Sequence, residues 1–337
     1  AMNKYLDAAG TTPASDTDWF DETTRTGVIQ NYNVAVSNGN AKGSSYFSLG
    51  YYKNLGIIKT SDFERYSARM NSDYKLIGDV LTVGENFTLN RTSEVQAPGG
   101  FLQNVLQFNP SLPVYTTDGS YAGPVGGYPD RENPVARLNR NRDNRYTYWR
   151  MFGDAWVNLK LFKGFNIRST FGLDYSQKQQ RIFTYPVTEG NVANSTNAVE
   201  AKQEHWTKWM WNAVATYNLV AGKNRFDVMA GIELNREDDV NFSGKKEDFI
   251  ILQPDYMWPD AATGSAQAFG SGGGYSLVSF FGKVNYNYDD RYMASLTLRH
   301  DGSSRFGKNN RFATFPSLSL GWRINHENFL KDASWID

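Results

Sequence analysis

The sequence predicts an all-β protein, an antiparallel up-and-down transmembrane β-barrel wall of about eleven strands, and three observations predict it. Apolar and polar residues alternate with a period of two in segment after segment. The links between those segments alternate short and long. Fifty aromatic residues (21 Phe, 20 Tyr, 9 Trp) accompany 30 glycines, as a wall with aromatic girdles and tight turns requires.

Taken in order, alternating segments run at about 28–38, 43–56, 62–76 and 79–94. In 145–161, Gly153, Ala155, Val157, Leu159 and Leu161 oppose Asp154, Asn158 and Lys160. In 164–180, Phe165, Ile167, Phe171, Leu173 and Tyr175 oppose Asn166, Arg168, Thr170 and Asp174. Segment 201–219 follows, and in 223–240 Phe226, Val228, Ala230, Ile232 and Leu234 oppose Asp227, Glu233 and Asn235. After 275–288, the segment 291–301 sets Tyr292, Ala294, Leu296 and Leu298 against Ser295, Thr297 and Arg299. In 311–324, Leu318, Leu320 and Trp322 oppose Ser317, Ser319, Gly321 and Arg323.

An apolar strand face covers a soluble core or meets lipid, and alternation alone does not separate the two. The connections do. Short links at 37–42, 77–79, 162–164, 220–224 and 289–290 alternate with mostly longer ones at about 57–61, 95–144, 181–200, 241–274 and 302–310. Sorting loops by length onto two rims is the habit of a membrane barrel, whose long loops are extracellular, and a sandwich has no reason for it. Several segments exceed the roughly 9–11 residues that a tilted strand needs to cross a bilayer, so the wall projects above the membrane. Aromatic residues crowd strand ends at Tyr146, Tyr148 and Trp149, at Trp206, Trp209 and Trp211, and at Tyr286 and Tyr288, which suits interfacial belts. About eleven strands leave an open edge, so a larger barrel is expected. At roughly 30 residues per strand and connection, a 22-strand transporter barrel needs about 660 residues.

Composition narrows the function. With 35 basic and 35 acidic residues the formal net charge is zero, which argues against phosphate-driven nucleic-acid binding. The chain has no Cys, hence no disulfide framework and no thiolate metal site. Its mean hydropathy of −0.56 includes no apolar run of about 18 residues, so no transmembrane helix is expected, while a barrel with a polar lumen fits equally well. The opening residues lack a charged region followed by an apolar one, so an exported protein is expected to start upstream.

Three stretches carry a family resemblance: NYNVAVSNGNAKGSSYFSLGYYKNLGIIK from Asn31 to Lys59, SDFERYSARMNSDYKL from Ser61 to Leu76, and DGSSRFGKNNRFATFPSLSLGWRI from Asp301 to Ile324. The last includes Asp301, Gly302, Ser303, Ser304, Arg305, Phe306, Gly307, Pro316, Gly321 and Trp322. The chain resembles the SusC/RagA-like TonB-dependent outer-membrane transporters of Bacteroidetes-type bacteria over nearly its whole length. The resemblance implies a 22-strand barrel with an N-terminal plug, a SusD-like surface lipoprotein partner, energy from TonB, and uptake of oligosaccharides or peptides as nutrients. It also implies that residues 1–27 lead into the barrel and 28–337 form part of it, with plug domain and TonB box absent from the sequence. A passive porin or barrel-borne adhesin, and a soluble β-rich binding module, are the alternatives.

Enzymatic chemistry finds little footing. His205, His300 and His326 are isolated, without a His-x-x-x-His pair, and no metal or other cofactor is expected. The run Gly270-Ser271-Gly272-Gly273-Gly274 lacks the Lys and Ser/Thr of a phosphate loop and reads as a flexible extracellular loop. Asp16, Asp18, Asp21 and Glu22 lack calcium-loop spacing and read as a solvated acidic turn. No Ser/His/Asp set assembles. The long 95–144 segment carries Tyr115, Tyr121 and Tyr128 beside Asp118, Asp130 and Arg131, and these tyrosines are the substrate-contact candidates, suited to stacking on sugars or extended peptides. Arg65, Arg69, Asp73, Asp154, Arg168, Asp174 and Asp227 are expected to line the lumen, mainly as interstrand ion pairs and water contacts.

Overall fold

A computed structural model describes residues 15–330; positions 1–14 of the expected 1–27 lead-in lie outside the described residues. Eleven strands form one antiparallel sheet in simple up-and-down order. They are β1 (Val28–Asn40), β2 (Gly43–Leu55), β3 (Asp62–Ile77), β4 (Leu81–Val95), β5 (Tyr146–Phe162), β6 (Phe165–Thr184), β9 (Ala198–Ala221), β10 (Asn224–Glu247), β11 (Gln267–Tyr288), β12 (Tyr292–Ser303) and β13 (Phe312–Trp322). Between β6 and β9 a separate hairpin pairs β7 (Val187–Glu189) with β8 (Val192–Asn194).

The register extends the alternation of single strands into two faces of the whole sheet. Val34 lies opposite Leu49, Leu49 opposite Ala68, Ala68 opposite Leu89, and Leu89 opposite Met151. Farther along, Ile232 sits opposite Phe280, Val284 opposite Leu296, and Leu296 opposite Leu318. These side chains share one apolar face. Arg65, Arg69, Asp73, Asp154, Arg168, Asp174 and Asp227 all fall on the other, because a strand sends successive side chains to opposite sides.

Two rims follow. At one, consecutive strands are joined by two or three residues, as between Asn40 and Gly43, Phe162 and Phe165, or Tyr288 and Tyr292. Asp289 and Asp290 take φ of 52° and 51° there, the left-handed pair that a tight hairpin with matching twist needs and that Asp tolerates. At the other rim lie 56–61, 96–145, 185–197, 248–266 and 304–311.

Two expected loops are smaller than the sequence suggested. The strands β10 and β11 continue through most of 241–274, leaving 248–266 as the connection, and 181–200 is shortened by β6, β9 and the β7–β8 hairpin. The glycine run is not a loop: Gly270, Gly272, Gly273 and Gly274 pair with Phe242, Val240, Asp239 and Asp238. Their missing side chains hid the strand from periodicity. At Gly274 a Cβ would stand 2.7 Å from both the Glu237 carbonyl oxygen and Asp238 Oδ1, so this register needs glycine there.

The expected 95–144 loop is instead a folded cap. Helices α2 (Phe101–Gln107) and α3 (Pro134–Asn141) lie in it, and α1 (Trp19–Thr23) joins them. Asp18 caps α1, accepting from the amides of Phe20 and Asp21, which gives the acidic turn a structural use. Trp19, Phe101, Val105, Phe108, Leu112, Ala122, Val125 and Leu138 form a buried cluster, with Trp19 edge-on to Phe108 at 4.7 Å. Asn133, fully buried, caps α3 and donates to the carbonyls of Val114 and Ala122, both at 2.9 Å. Pro134 follows at the first helical position, where its missing N–H costs nothing.

Candidate functional site on the polar face

Below the cap, the polar face of β5, β6, β9 and β10 forms an open pocket of about 320 Å³. Tyr148 comes from β5, Ser176 and Lys178 from β6, Lys202, Glu204 and Trp206 from β9, and Asp239, Asn241 and Ser243 from β10. Cross-strand register assembles them: Tyr148 is opposite Lys178, Lys178 opposite Glu204, Glu204 opposite Asn241, and Trp206 opposite Asp239. On the next strand Asp239 meets Gly273, so no side chain crowds that flank.

The groups differ in how far they are committed. Lys178 Nζ stands 4.7 Å over the Tyr146 ring, Lys202 pairs with Glu200 at 3.4 Å, and Asn241 donates to Ser271 Oγ at 2.7 Å. Glu204 and Asp239 are exposed and form no ion pair within 4 Å with a described residue. The pocket thus combines the Tyr148 and Trp206 rings, two uncommitted carboxylates and two lysines, a set suited to stacking on and hydrogen bonding a polar ligand.

Elsewhere on the polar face several charged groups are held by neighbours. Arg150 grips Asp174 with two bonds of 2.9 and 2.6 Å. The Asn86 amide reaches Asp154, Ser44 donates to Asp73, Asn218 donates to Asp227, and Arg168 lies 4.0 Å over Trp156. Asp301, from the resemblance motif, accepts from Arg299 at 2.7 Å, and Arg299 also donates to buried Ser279 at 2.9 Å. Arg305 lies 4.1 Å over Tyr275. Much of that motif therefore fastens β11, β12 and β13 together.

All three tyrosines singled out by sequence lie in the cap, apart from the wall pocket. Tyr115 and Tyr121 form an isolated bridge, with rings 5.2 Å apart. The Tyr121 hydroxyl accepts from Asn139 at 2.6 Å, while Tyr115 is half exposed. Tyr128 packs against the cap core, its hydroxyl 2.9 Å from Ser111 Oγ. Trp206 separates from its presumed belt companions: Trp209 and Trp211 share the apolar face, whereas Trp206 points into the polar pocket. An even number against two odd ones in a strand was the available signal. Likewise Tyr146 and Tyr148 share the polar face and Trp149 the apolar one.

The hairpin β7–β8 ties the cap to the wall through Glu189, which accepts from the Asn133 amide at 2.7 Å and from Arg140 at 2.5 Å. Burial pushes its carboxyl above the ordinary value, against the opposing pull of Arg140. Arg140 is shared with Glu132 at 2.6 Å.

The chain matches no family profile. It is 31% identical to the TonB-dependent receptor SusC of Bacteroides thetaiotaomicron, over 95% of this chain and 33% of that protein. It is 30% identical to the TonB-dependent receptor P3 of Formosa agariphila, over 96% of this chain and 33% of that one. The chain spans about a third of the length of these relatives. Among solved structures, that of the RagAB peptide transporter superimposes with a TM-score of 0.78 at 19% identity, over 94% of this chain and 36% of that one. The siderophore receptor PiuA from Acinetobacter baumannii aligns at 0.52 and 10% identity, over 89% and 46%; both likenesses speak for the fold. With a two-faced up-and-down sheet and these near-continuous alignments, the chain belongs to the SusC-like family of TonB-dependent receptors of the bacterial outer membrane.

Proposed function

We propose that this wall is part of a 22-strand TonB-dependent importer that carries oligosaccharides or peptides across the outer membrane, with its apolar face toward lipid and its polar face toward the lumen. The observation that carries the reading is the polar-face pocket, where Trp206 and Tyr148 stand beside Glu204 and Asp239, two carboxylates without an ion pair to a described residue. The short-turn rim is then periplasmic and the cap extracellular. The cap and the 248–266 connection expose Leu102, Leu106, Ile250 and Trp258, a surface suited to a SusD-like lipoprotein. Energy comes from TonB acting on another part of the receptor, and the chain has no enzymatic role. Tyr115 and Tyr121 offer a further aromatic surface in the cap.

The test is uptake of defined oligosaccharides and peptides by cells whose only receptor is the full-length protein. Trp206→Ala with Asp239→Asn is expected to weaken substrate binding about 10- to 100-fold, from loss of a stacking ring and a charged acceptor. Unchanged uptake would remove the pocket from the transport path, and uptake that persists without TonB would make the wall a passive porin. Replacing Tyr115, Tyr121 and Tyr128 together with Ala is expected to lower uptake several-fold; unchanged binding and uptake would take the cap tyrosines out of substrate contact.

A further inference from the structure

We infer that the apolar face carries a binding site for a lipid phosphate, centred on Arg91 at the end of the wall nearest the long connections. Register places Tyr32, Tyr51, Tyr66, Arg91 and Trp149 in a single cross-strand row over β1 to β5. One row toward the short turns stand Val34, Leu49, Ala68 and Leu89, all apolar. One row toward the cap stand Gln30, Lys53, Glu64 and Ser93, all polar. The aromatic row therefore marks the boundary where hydrocarbon gives way to headgroups, the level at which amphipathic rings settle.

Arg91 is the one member of that row with a full charge. Its guanidinium stands 5.8 Å from the Trp149 ring centroid and forms no ion pair within 4 Å with a described residue. On the same face Lys53 reaches Glu64 at 4.0 Å and Arg236 holds Asp238 at 2.7 Å. The Glu64 carboxylate is further occupied by the Tyr51 hydroxyl at 3.3 Å. An arginine on the lipid side at the hydrocarbon boundary reaches its charged head into the headgroup layer, where its planar fork fits a phosphate.

A groove of about 450 Å³ runs beside it, lined by Val34, Leu49 and Ala68 together with the Tyr32, Tyr66 and Trp149 rings. An acyl chain laid along that groove would bring the phosphate of the same lipid to Arg91. The occupant is thus a membrane lipid with a phosphate close to its acyl chains, held by one charge-assisted contact and by apolar burial.

The experiment is native mass spectrometry of the full-length receptor in detergent, titrated with phosphatidylglycerol, with diacylglycerol, and with inorganic phosphate as competitor. Phosphatidylglycerol should stay bound where diacylglycerol does not, and Arg91→Gln should weaken its retention about tenfold. Arg91→Lys, which keeps the charge and loses the fork, should fall between the two. Barrel integrity of each variant is read from heat-modifiable migration on a gel; should Arg91→Gln not fold, the lipid comparison on the unaltered receptor and Arg91→Lys decides. Equal retention of diacylglycerol, an unaltered titration for folded Arg91→Gln, or displacement by inorganic phosphate at matching concentration would each overturn the inference.

Discussion

In the cap, Trp19 is 4% exposed and Leu112 1%, while in the wall Val34 and Leu320 are each 75% exposed. Both regions are rich in apolar side chains, yet only the cap and its neighbouring connections bury them in protein. Among the described residues, the buried hydrophobic ones lie in α1, in the long connections or at the strand ends that meet them. The wall is held by its hydrogen-bonded ladders, by polar-face pairs such as Arg150–Asp174, and by the lipid that covers the opposite side. The difference teaches that an exposed leucine here is a statement about solvent: the cap folds as a soluble protein does, and the wall folds against a membrane.

The largest expected effect breaks the cap alone. Trp19→Ala removes the ring packed on Phe108 and should cost about 4 kcal/mol of cap stability. Hydrogen exchange on the full-length receptor should show faster exchange in 96–145 and unchanged protection in the wall; equal loosening of both would erase the distinction. Next, Leu296→Arg places a charge between the Tyr292 end of its strand and His300, on the apolar face. It should cost about 3 kcal/mol in barrel refolding measurements. Smaller again, Leu296→Ala should cost less than about 1 kcal/mol, because lipid chains fill the space that a protein core would leave empty. A loss as large as that of a core leucine would mean the face is covered by protein.

The wall was legible in sequence to a degree that the cap was not, and the reason is range. Alternation is local, so β5 from Tyr146 to Phe162 can be read from its own residues, one position from where the sequence set it. The same rule is silent where side chains vanish, at Gly270 to Gly274, so the strand there extends beyond what alternation predicts. The cap depends on contacts such as Trp19 with Phe108, nearly ninety positions apart, and on helices too short for periodicity to show, such as Phe101–Gln107. Asn133-Pro134, a helix cap followed by proline, is a local signature, as is Asp18 ahead of α1. The pocket is intermediate. Each strand showed which residues share a face, but bringing Tyr148, Lys178, Glu204 and Asn241 into line needs the register between strands.

Acidity supplies the finest test, because the two regions should respond to it with opposite sign. In the cap, burial raises the Glu189 carboxyl above its unfolded value. The folded cap therefore binds this proton more tightly than the unfolded one, and stability falls as pH rises from the ordinary carboxylate range through the raised value. At the short turns the shifts run the other way. A hydrogen bond from Lys223 lowers Asp289, and one from Lys75 lowers Asp79. There the unfolded state binds protons more readily, so the contribution is present above the ordinary carboxylate value and is lost as pH falls through the lowered one. Hydrogen exchange followed from pH 7 downward should thus show the cap tightening while the short-turn rim loosens, once the intrinsic exchange rate is divided out. Glu189→Gln should flatten the response of the cap and leave the turns unchanged. A cap response that survives this substitution would assign the proton to another group and remove Glu189 as the titrating link between hairpin and cap.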